Sequence, residues 1–123
     1  MTIAMWCVLI ASLLPYVAVG IAKGGAKFDN NNPRDWLAKQ TGHRRRANAA
    51  QANSFEAFPL FAVAVIVASL LHAPQARVDM LAMSFVAARV AYLICYLADW
   101  AALRSVAWLA GMVCAVMIFV AGM

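Results

Sequence analysis

Several polar side chains with chemical potential lie inside stretches of this chain that are otherwise apolar. The clearest case is the stretch 44–71, RRRANAAQANSFEAFPLFAVAVIVASLL, where an amide and a carboxylate enter a run of apolar residues. A guanidinium can hold a carboxylate or favour a thiolate, and a carboxylate can hold an ammonium group. The candidate residues within or at the start of the apolar runs are Asn53, Glu56, Arg89, Arg104 and Ser105.

Helical spacing brings the polar residues of this stretch onto one face. Arg46 and Asn53 are seven residues apart, with Ala50 between them at helical spacing. Glu56 follows Asn53 by three residues and flanks the same face. One stripe of a single helix is therefore predicted to present a cation, an amide and a carboxylate.

A second polar face is predicted around Arg89, because Tyr92 and Tyr96 follow it by three and seven residues. A charge that faces lipid costs about 2.5–3.5 kcal/mol on insertion scales. Glu56 and Arg89 are therefore expected to face the bundle interior or a subunit interface, and to form an ion pair with each other.

Two interpretations of this polar face remain open. The pair can be a structural feature that only fixes the packing of the bundle. Alternatively, a polar pocket opens toward the cytoplasm and binds a small anionic or zwitterionic ligand. The residues that would line this pocket are Arg46, Asn53, Glu56, Arg89, Tyr92, Tyr96 and Arg104.

We expect these residues to lie on membrane-spanning helices. The chain is 66% hydrophobic and 12% charged, whereas soluble domains carry about 25% charged residues. Each apolar run is long enough to cross a bilayer, and short links make neighbouring helices antiparallel. The sequence predicts an all-α, up-down four-helix membrane domain over residues 1–123, with spans at about 3–22, 47–71, 78–98 and 103–121.

The first loop, residues 23–46, is strongly basic. It contains seven of the ten lysines and arginines and two of the five acidic residues, so it carries the formal net charge of +5. The positive-inside rule places this loop in the cytoplasm and both termini on the opposite side. Contact with anionic membrane lipid explains the same charge. A nucleic-acid partner is not expected, because there is no soluble domain to bind one.

Cysteine chemistry and a bound metal are not expected. Cys7, Cys95 and Cys114 all lie in apolar runs, and their spacing matches neither a disulfide framework nor a metal site. We interpret them as small packing residues.

Three segments resemble the MAPEG family, the membrane-associated proteins in eicosanoid and glutathione metabolism. The segment RRRANAAQANSFEAFPLF contains Asn53 and Glu56 in an Asn-x-x-Glu step, and Pro59 follows closely. The segments ARVAYLICYL and LRSVAW resemble the third span and the start of the fourth span of that family. The length, the four spans and the basic first loop agree with this resemblance, which covers nearly the whole chain.

The resemblance implies a homotrimer that binds glutathione, as a co-substrate, between neighbouring subunits at the cytoplasmic side. It implies transferase, peroxidase or isomerase activity on lipophilic substrates. Asn53 and Glu56 would contact the backbone and amino group of glutathione, Arg89 would brace the region of Glu56, and Tyr96 would lie along the ligand. The chain resembles bacterial members of the family, which implies a bacterial inner membrane.

The resemblance also implies a role for Arg104 and Ser105 near the glutathione sulfur. A free thiol has a pKa of about 8.5, and a nearby cation lowers this value and so increases the fraction of nucleophilic thiolate. The sequence departs from the family at Ala49, where the best-characterised enzymes carry an arginine. Arg46 and Arg45 are the nearest candidates to replace that cation.

Three functional hypotheses follow from these observations. The first is a glutathione-dependent membrane transferase or peroxidase acting on lipophilic electrophiles. The second is a non-enzymatic membrane protein of the same fold that binds lipid or serves as a scaffold. The third is a small transporter or channel subunit, although no broken-helix signal supports it.

Overall fold

The computed structural model describes all 123 residues and contains helices but no strands. Four of the helices are long and apolar enough to cross a membrane, which confirms the predicted all-α, four-span fold class. The helices are α1 (Ile3–Lys23), α2 (Pro33–Ala38), α3 (Gly42–Leu70), α4 (Gln75–Leu97) and α5 (Ala101–Phe119).

The basic segment, residues 23–46, is partly helical. The short helix α2 lies within it, and α3 begins at Gly42, five residues before the predicted start of the second span. Arginine and alanine are strong helix formers, so the helix extends through the polar residues that a hydropathy criterion excludes. With 29 residues, α3 is about 43 Å long and exceeds the hydrocarbon thickness of about 30 Å.

Two of the helices end in the same motif, with a non-glycine residue in the left-handed conformation. His72 after α3 has a φ of 52°, and Asp99 after α4 has a φ of 62°. In each case the next amide donates back to the carbonyl five residues earlier, at 2.9 Å for Ala73 to Ala68 and 2.8 Å for Trp100 to Cys95. These are Schellman motifs, which terminate a helix and turn the chain sharply.

The four long helices form an antiparallel bundle. Both α1 and α5 pack against α3 and α4, and α3 also contacts α4 across the bundle. We call the end where α1 and α4 finish and α3 and α5 begin the basic end. We call the other end, where Asp79 of α4 accepts the backbone N–H of Ala4 at 2.9 Å, the opposite end.

The largest apolar core lies in the half of the bundle toward the opposite end. Phe61 and Phe85 stack there with ring centroids 3.9 Å apart, and Ile118 is fully buried beside them. Small residues such as Ala4 and Ala64 allow the helices to approach closely. This core fixes the positions of α3, α4 and α5, on which the candidate site is built.

Candidate functional site

Arg89 of α4 lies inside the bundle and bonds to Asn53 of α3. Its side chain is only 4% exposed, and its Nη2 atom donates to Oδ1 of Asn53 at 2.8 Å. The guanidinium carbon also lies 4.2 Å from the centre of the Tyr92 ring. The buried cation is therefore held by an amide oxygen and an aromatic face.

The predicted ion pair between Glu56 and Arg89 is wrong. No lysine or arginine nitrogen comes within 4.0 Å of a carboxylate oxygen anywhere in the chain, and Glu56 is exposed on the outer surface of α3. The reason is the angular position of Glu56 around the axis of α3. Three residues of α-helix separate Asn53 from Glu56, which rotates the carboxylate by about 60° away from the face that meets α4.

A cavity of about 230 Å³ opens between α4 and α5 near the basic end. Tyr92 and Tyr96 form one wall, with ring centroids 5.6 Å apart in an edge-to-face arrangement. The guanidinium carbon of Arg104 lies 4.4 Å from the centre of the Tyr96 ring. Ser105 and Trp108 complete the lining.

Local helix geometry explains why these side chains converge. Tyr92 and Tyr96 lie one turn apart on α4, and Arg104 and Trp108 lie one turn apart on α5. The Schellman motif and the short link between the two helices place the last turns of α4 beside the first turns of α5. The cation of Arg104 therefore acts directly on this cavity and favours an anion there.

Arg46 has a different position from the one predicted. Its Nε and Nη2 atoms donate to the backbone carbonyl of Leu97 at 3.3 and 3.2 Å. That carbonyl belongs to the last turn of α4 and accepts no backbone hydrogen bond. Arg46 thus joins the start of α3 to the end of α4 and does not line the cavity.

The structure divides the predicted site residues into two groups. One group lines the cavity between α4 and α5, and the other lies between or outside the helices without lining it. The cavity group is Tyr92, Tyr96, Arg104 and Ser105; the second group is Arg46, Asn53, Glu56 and Arg89. A contact between any of these residues and a ligand stays a prediction.

Sequence reasoning missed Trp108 as part of the cavity wall. Trp108 follows Arg104 by four residues and Ser105 by three, so helical spacing already placed it on their face. A tryptophan near the end of a span is more typical of a membrane-interface anchor or a core residue. In the structure it is 39% exposed and contributes its ring to the cavity.

Comparison with protein-family models connects this geometry to a known group of proteins. The model of the MAPEG family matches residues 3–123, which is nearly the whole chain. The chain belongs to the MAPEG family. Comparison with curated proteins and with solved structures gives no match.

Membership of the MAPEG family agrees with the four-span fold and with an integral membrane protein. The family includes glutathione transferases and peroxidases, and the segments that carried the resemblance contribute the cavity residues. Tyr92 and Tyr96 come from ARVAYLICYL, and Arg104, Ser105 and Trp108 come from LRSVAW.

Proposed function

We propose that this MAPEG protein is a glutathione-dependent membrane transferase or peroxidase that acts on lipophilic electrophiles. The observation that carries the proposal is the cavity of about 230 Å³ between α4 and α5, which combines one cation, two phenols and a hydroxyl. These groups are donors to an anion, and a thiolate is the anion that the family chemistry requires.

The depth of the cavity supports access by a water-soluble thiol. Arg104 is three residues from the start of α5 and Tyr96 is one residue from the end of α4. Both therefore lie within about 5 Å of the helix ends at the basic end. A charged co-substrate reaches this level from the aqueous side, while an apolar electrophile arrives through the lipid.

The proposed chemistry is thiolate attack. Arg104 stabilises negative charge on the glutathione sulfur, so the thiol proton passes to water and the thiolate fraction rises. The sulfur then forms a bond to the electrophilic carbon, and the displaced electron pair leaves with the leaving group. Ser105 and the tyrosine hydroxyls can donate hydrogen bonds to the sulfur or to that leaving group.

Arg89 supports the cavity without lining it. Asn53 holds its guanidinium at 2.8 Å, the guanidinium covers one face of Tyr92 at 4.2 Å, and Tyr92 meets Tyr96 edge to face. Tyr96 in turn lies under Arg104. This continuous set of contacts fixes the orientation of the cavity wall, so we propose that Arg89 and Asn53 position the site.

We further propose a homotrimer with the carboxylate of Glu56 at a subunit interface. About 20 residues of α3 counted back from Leu70 cross the hydrocarbon layer, so Glu56 lies about 8 Å inside the boundary. A lone carboxylate at that depth is costly when it faces lipid. A neighbouring copy that covers this surface would supply a cation or a hydrogen-bond donor, or a shared ligand.

A titration of the purified protein with glutathione tests the proposal. Thiolate absorbance and binding are measured together for the wild-type chain and for Arg104→Ala. We expect the thiolate signal to fall about tenfold or more, because a shift of one pKa unit corresponds to that factor, while affinity falls less. Absence of binding at millimolar glutathione would exclude the proposal, and equal losses of both signals would make Arg104 a binding residue only.

One observation favours the second candidate, a non-enzymatic MAPEG-fold protein that binds lipid or acts as a scaffold. Ala49 stands where the family enzymes carry an arginine, and Arg46 bonds to the Leu97 carbonyl instead of replacing it. Arg104 is consequently the only cation that lines the cavity. Glutathione binding without thiolate formation in the titration would support this candidate.

A further inference from the structure

Three of the seven lysines and arginines in residues 23–46 make contacts within the chain, and four do not. Of the three, Lys23 lies over the Phe28 ring, with its Nζ atom 4.3 Å from the ring centre. Arg44 donates to the carbonyls of Ala22 and Gly24 at 2.9 and 2.6 Å, and so caps the end of α1. Arg46 caps the end of α4 through Leu97. These two arginines donate hydrogen bonds to carbonyl groups at helix C-termini, and a cation there also complements the helix dipole.

Four further cations at the same end have no partner within the chain. Each is exposed, none lies within 4.0 Å of a carboxylate, and none donates a hydrogen bond to the chain. They come from the α1–α2 connection, from both ends of α2 and from the first turn of α3. We call this set the cationic surface: Lys27, Arg34, Lys39 and Arg45.

The two acidic residues of the α1–α2 segment leave the four cations of this surface without an ion pair, although Asp29 and Lys39 attract each other at longer range. Asp29 accepts the backbone N–H of Asn31 at 3.0 Å and the side-chain amide of Asn32 at 3.2 Å. The Asn32 amide, followed by the Asn31 N–H, holds the pKa of Asp29 below its usual range. Asp35 lies in the first turn of α2, where a negative charge complements the helix dipole.

The cationic surface is anchored at the level of lipid headgroups. Leu37 of α2 is buried against Ala22 and Ala47, so the short helix lies across the ends of α1 and α3. Phe28 and Trp36 pack edge to face at 5.0 Å within the same segment. Aromatic residues are enriched at this depth, and α3 projects about 13 Å beyond the hydrocarbon layer.

We propose that the cationic surface binds the phosphate of anionic phospholipid headgroups. The surface contains four cations without internal partners, is fixed to the bundle end by Leu37, and lies beside an aromatic pair typical of the membrane interface. Headgroup phosphates are the anions present at that depth. Each lysine or arginine near an anionic membrane strengthens binding by about fivefold. This inference does not depend on glutathione use.

The test uses the full-length protein in nanodiscs of equimolar phosphatidylcholine and phosphatidylglycerol. The protein is extracted into neutral detergent, and the lipids that remain bound are counted by native mass spectrometry. We expect phosphatidylglycerol to be enriched about fivefold or more over phosphatidylcholine in the wild-type chain. The enrichment should decrease at high salt, since the contacts are exposed and screened.

Matched variants locate the binding surface. A variant with glutamine at all four positions of the cationic surface should retain the two lipids in equal amounts. The single change Arg45→Gln should lower the enrichment by about two- to fivefold. Arg77→Gln, which removes an exposed arginine from the opposite end, should leave it unchanged. Thermal melting confirms that each variant is folded before lipids are counted.

Three results would overturn the proposal. They are equal retention of both lipids by the wild-type chain, undiminished enrichment in the fourfold variant, and equal losses in Arg45→Gln and Arg77→Gln. Inorganic phosphate is included as a competitor at the concentration of the headgroups. Complete displacement of phosphatidylglycerol by free phosphate would show that the surface binds small anions and not a lipid, which also contradicts the proposal.

Discussion

The two halves of the bundle are built on different principles. Toward the opposite end, Phe61, Phe85 and Ile118 form a continuous apolar core, and Phe61 and Phe85 stack at 3.9 Å. Toward the basic end, the helices are separated by a buried cation, an amide and two phenols, with a cavity of about 230 Å³ beside them. The apolar half contains the dense packing that stabilises the fold, and the polar half contains groups that can bind an anion.

The contacts of Arg89 indicate that the polar half of the bundle is not optimised for stability. A buried guanidinium without a carboxylate partner carries a desolvation cost that a single amide hydrogen bond only partly offsets. Arg89 is 4% exposed and bonds only to Asn53. A costly buried charge beside a cavity is typical of a functional site.

The largest expected effect is in the apolar half. Phe61→Ala removes a fully buried ring that stacks on Phe85, and we expect the free energy of unfolding to fall by about 3 kcal/mol. Phe55→Ala, at a position 44% exposed on the same helix, should cost less than about 1 kcal/mol. Denaturation in mixed micelles measures both, and similar losses at the two positions would remove the distinction between core and surface.

The next effect tests the buried cation. Asn53→Leu removes the only acceptor of Arg89, so we expect the free energy of unfolding to fall by about 2–3 kcal/mol. Asn48→Leu on the same helix serves as the control, because Asn48 is half-buried and its side chain makes no hydrogen bond within the chain. The same denaturation assay applies. If the two leucine variants were equally stable, the bond between Asn53 and Arg89 would have no structural importance.

A smaller effect is expected at the helix ends. Arg46→Gln loses two hydrogen bonds to the carbonyl of Leu97, and we expect a loss of about 1–2 kcal/mol in the free energy of unfolding. Arg45→Gln changes an exposed neighbour without such bonds and should be close to neutral. Thermal melting in one detergent compares them. A larger loss for Arg45→Gln would contradict the assignment of Arg46 as the cap of α4.

The smallest effect concerns Asp29, outside the spans. Because its pKa is lowered in the folded chain, chiefly by the Asn32 amide, any stability it contributes is present above its ordinary value of 3.8. That contribution is lost as the pH falls through the lower, folded value. Asn32→Ala should raise the pKa of Asp29 toward 3.8, as followed by NMR of the carboxyl carbon. An unchanged titration would show that the amide does not set this pKa.

The sequence predicted the fold well because hydropathy and helical spacing are local signals. Four apolar runs separated by short links are sufficient to indicate an antiparallel bundle. The predicted second span starts at about residue 47, whereas the helix that contains it, α3, already starts at Gly42. The contacts that Arg44 and Arg46 make with the ends of α1 and α4 join different helices, and spacing within one segment does not show such contacts.

The site was only partly predictable for the same reason. Spacing placed Tyr92 with Tyr96 and Arg104 with Ser105, and these four residues do share a cavity. The ion pair between Glu56 and Arg89 required the relative rotation of α3 and α4, which the sequence does not contain. Charge complementarity selected Glu56 as the partner, whereas the geometry selects Asn53.

The double variant Arg89→Met with Asn53→Leu tests the central claim, that the polar half is retained for ligand chemistry and not for stability. It replaces both polar partners with apolar groups of similar size, and its free energy of unfolding and its glutathione thiolate signal are measured on one preparation. We predict equal or higher stability, by about 1 kcal/mol, together with a thiolate signal several-fold below wild type, because Tyr92 loses its support. A less stable variant with an unchanged thiolate signal would contradict the account.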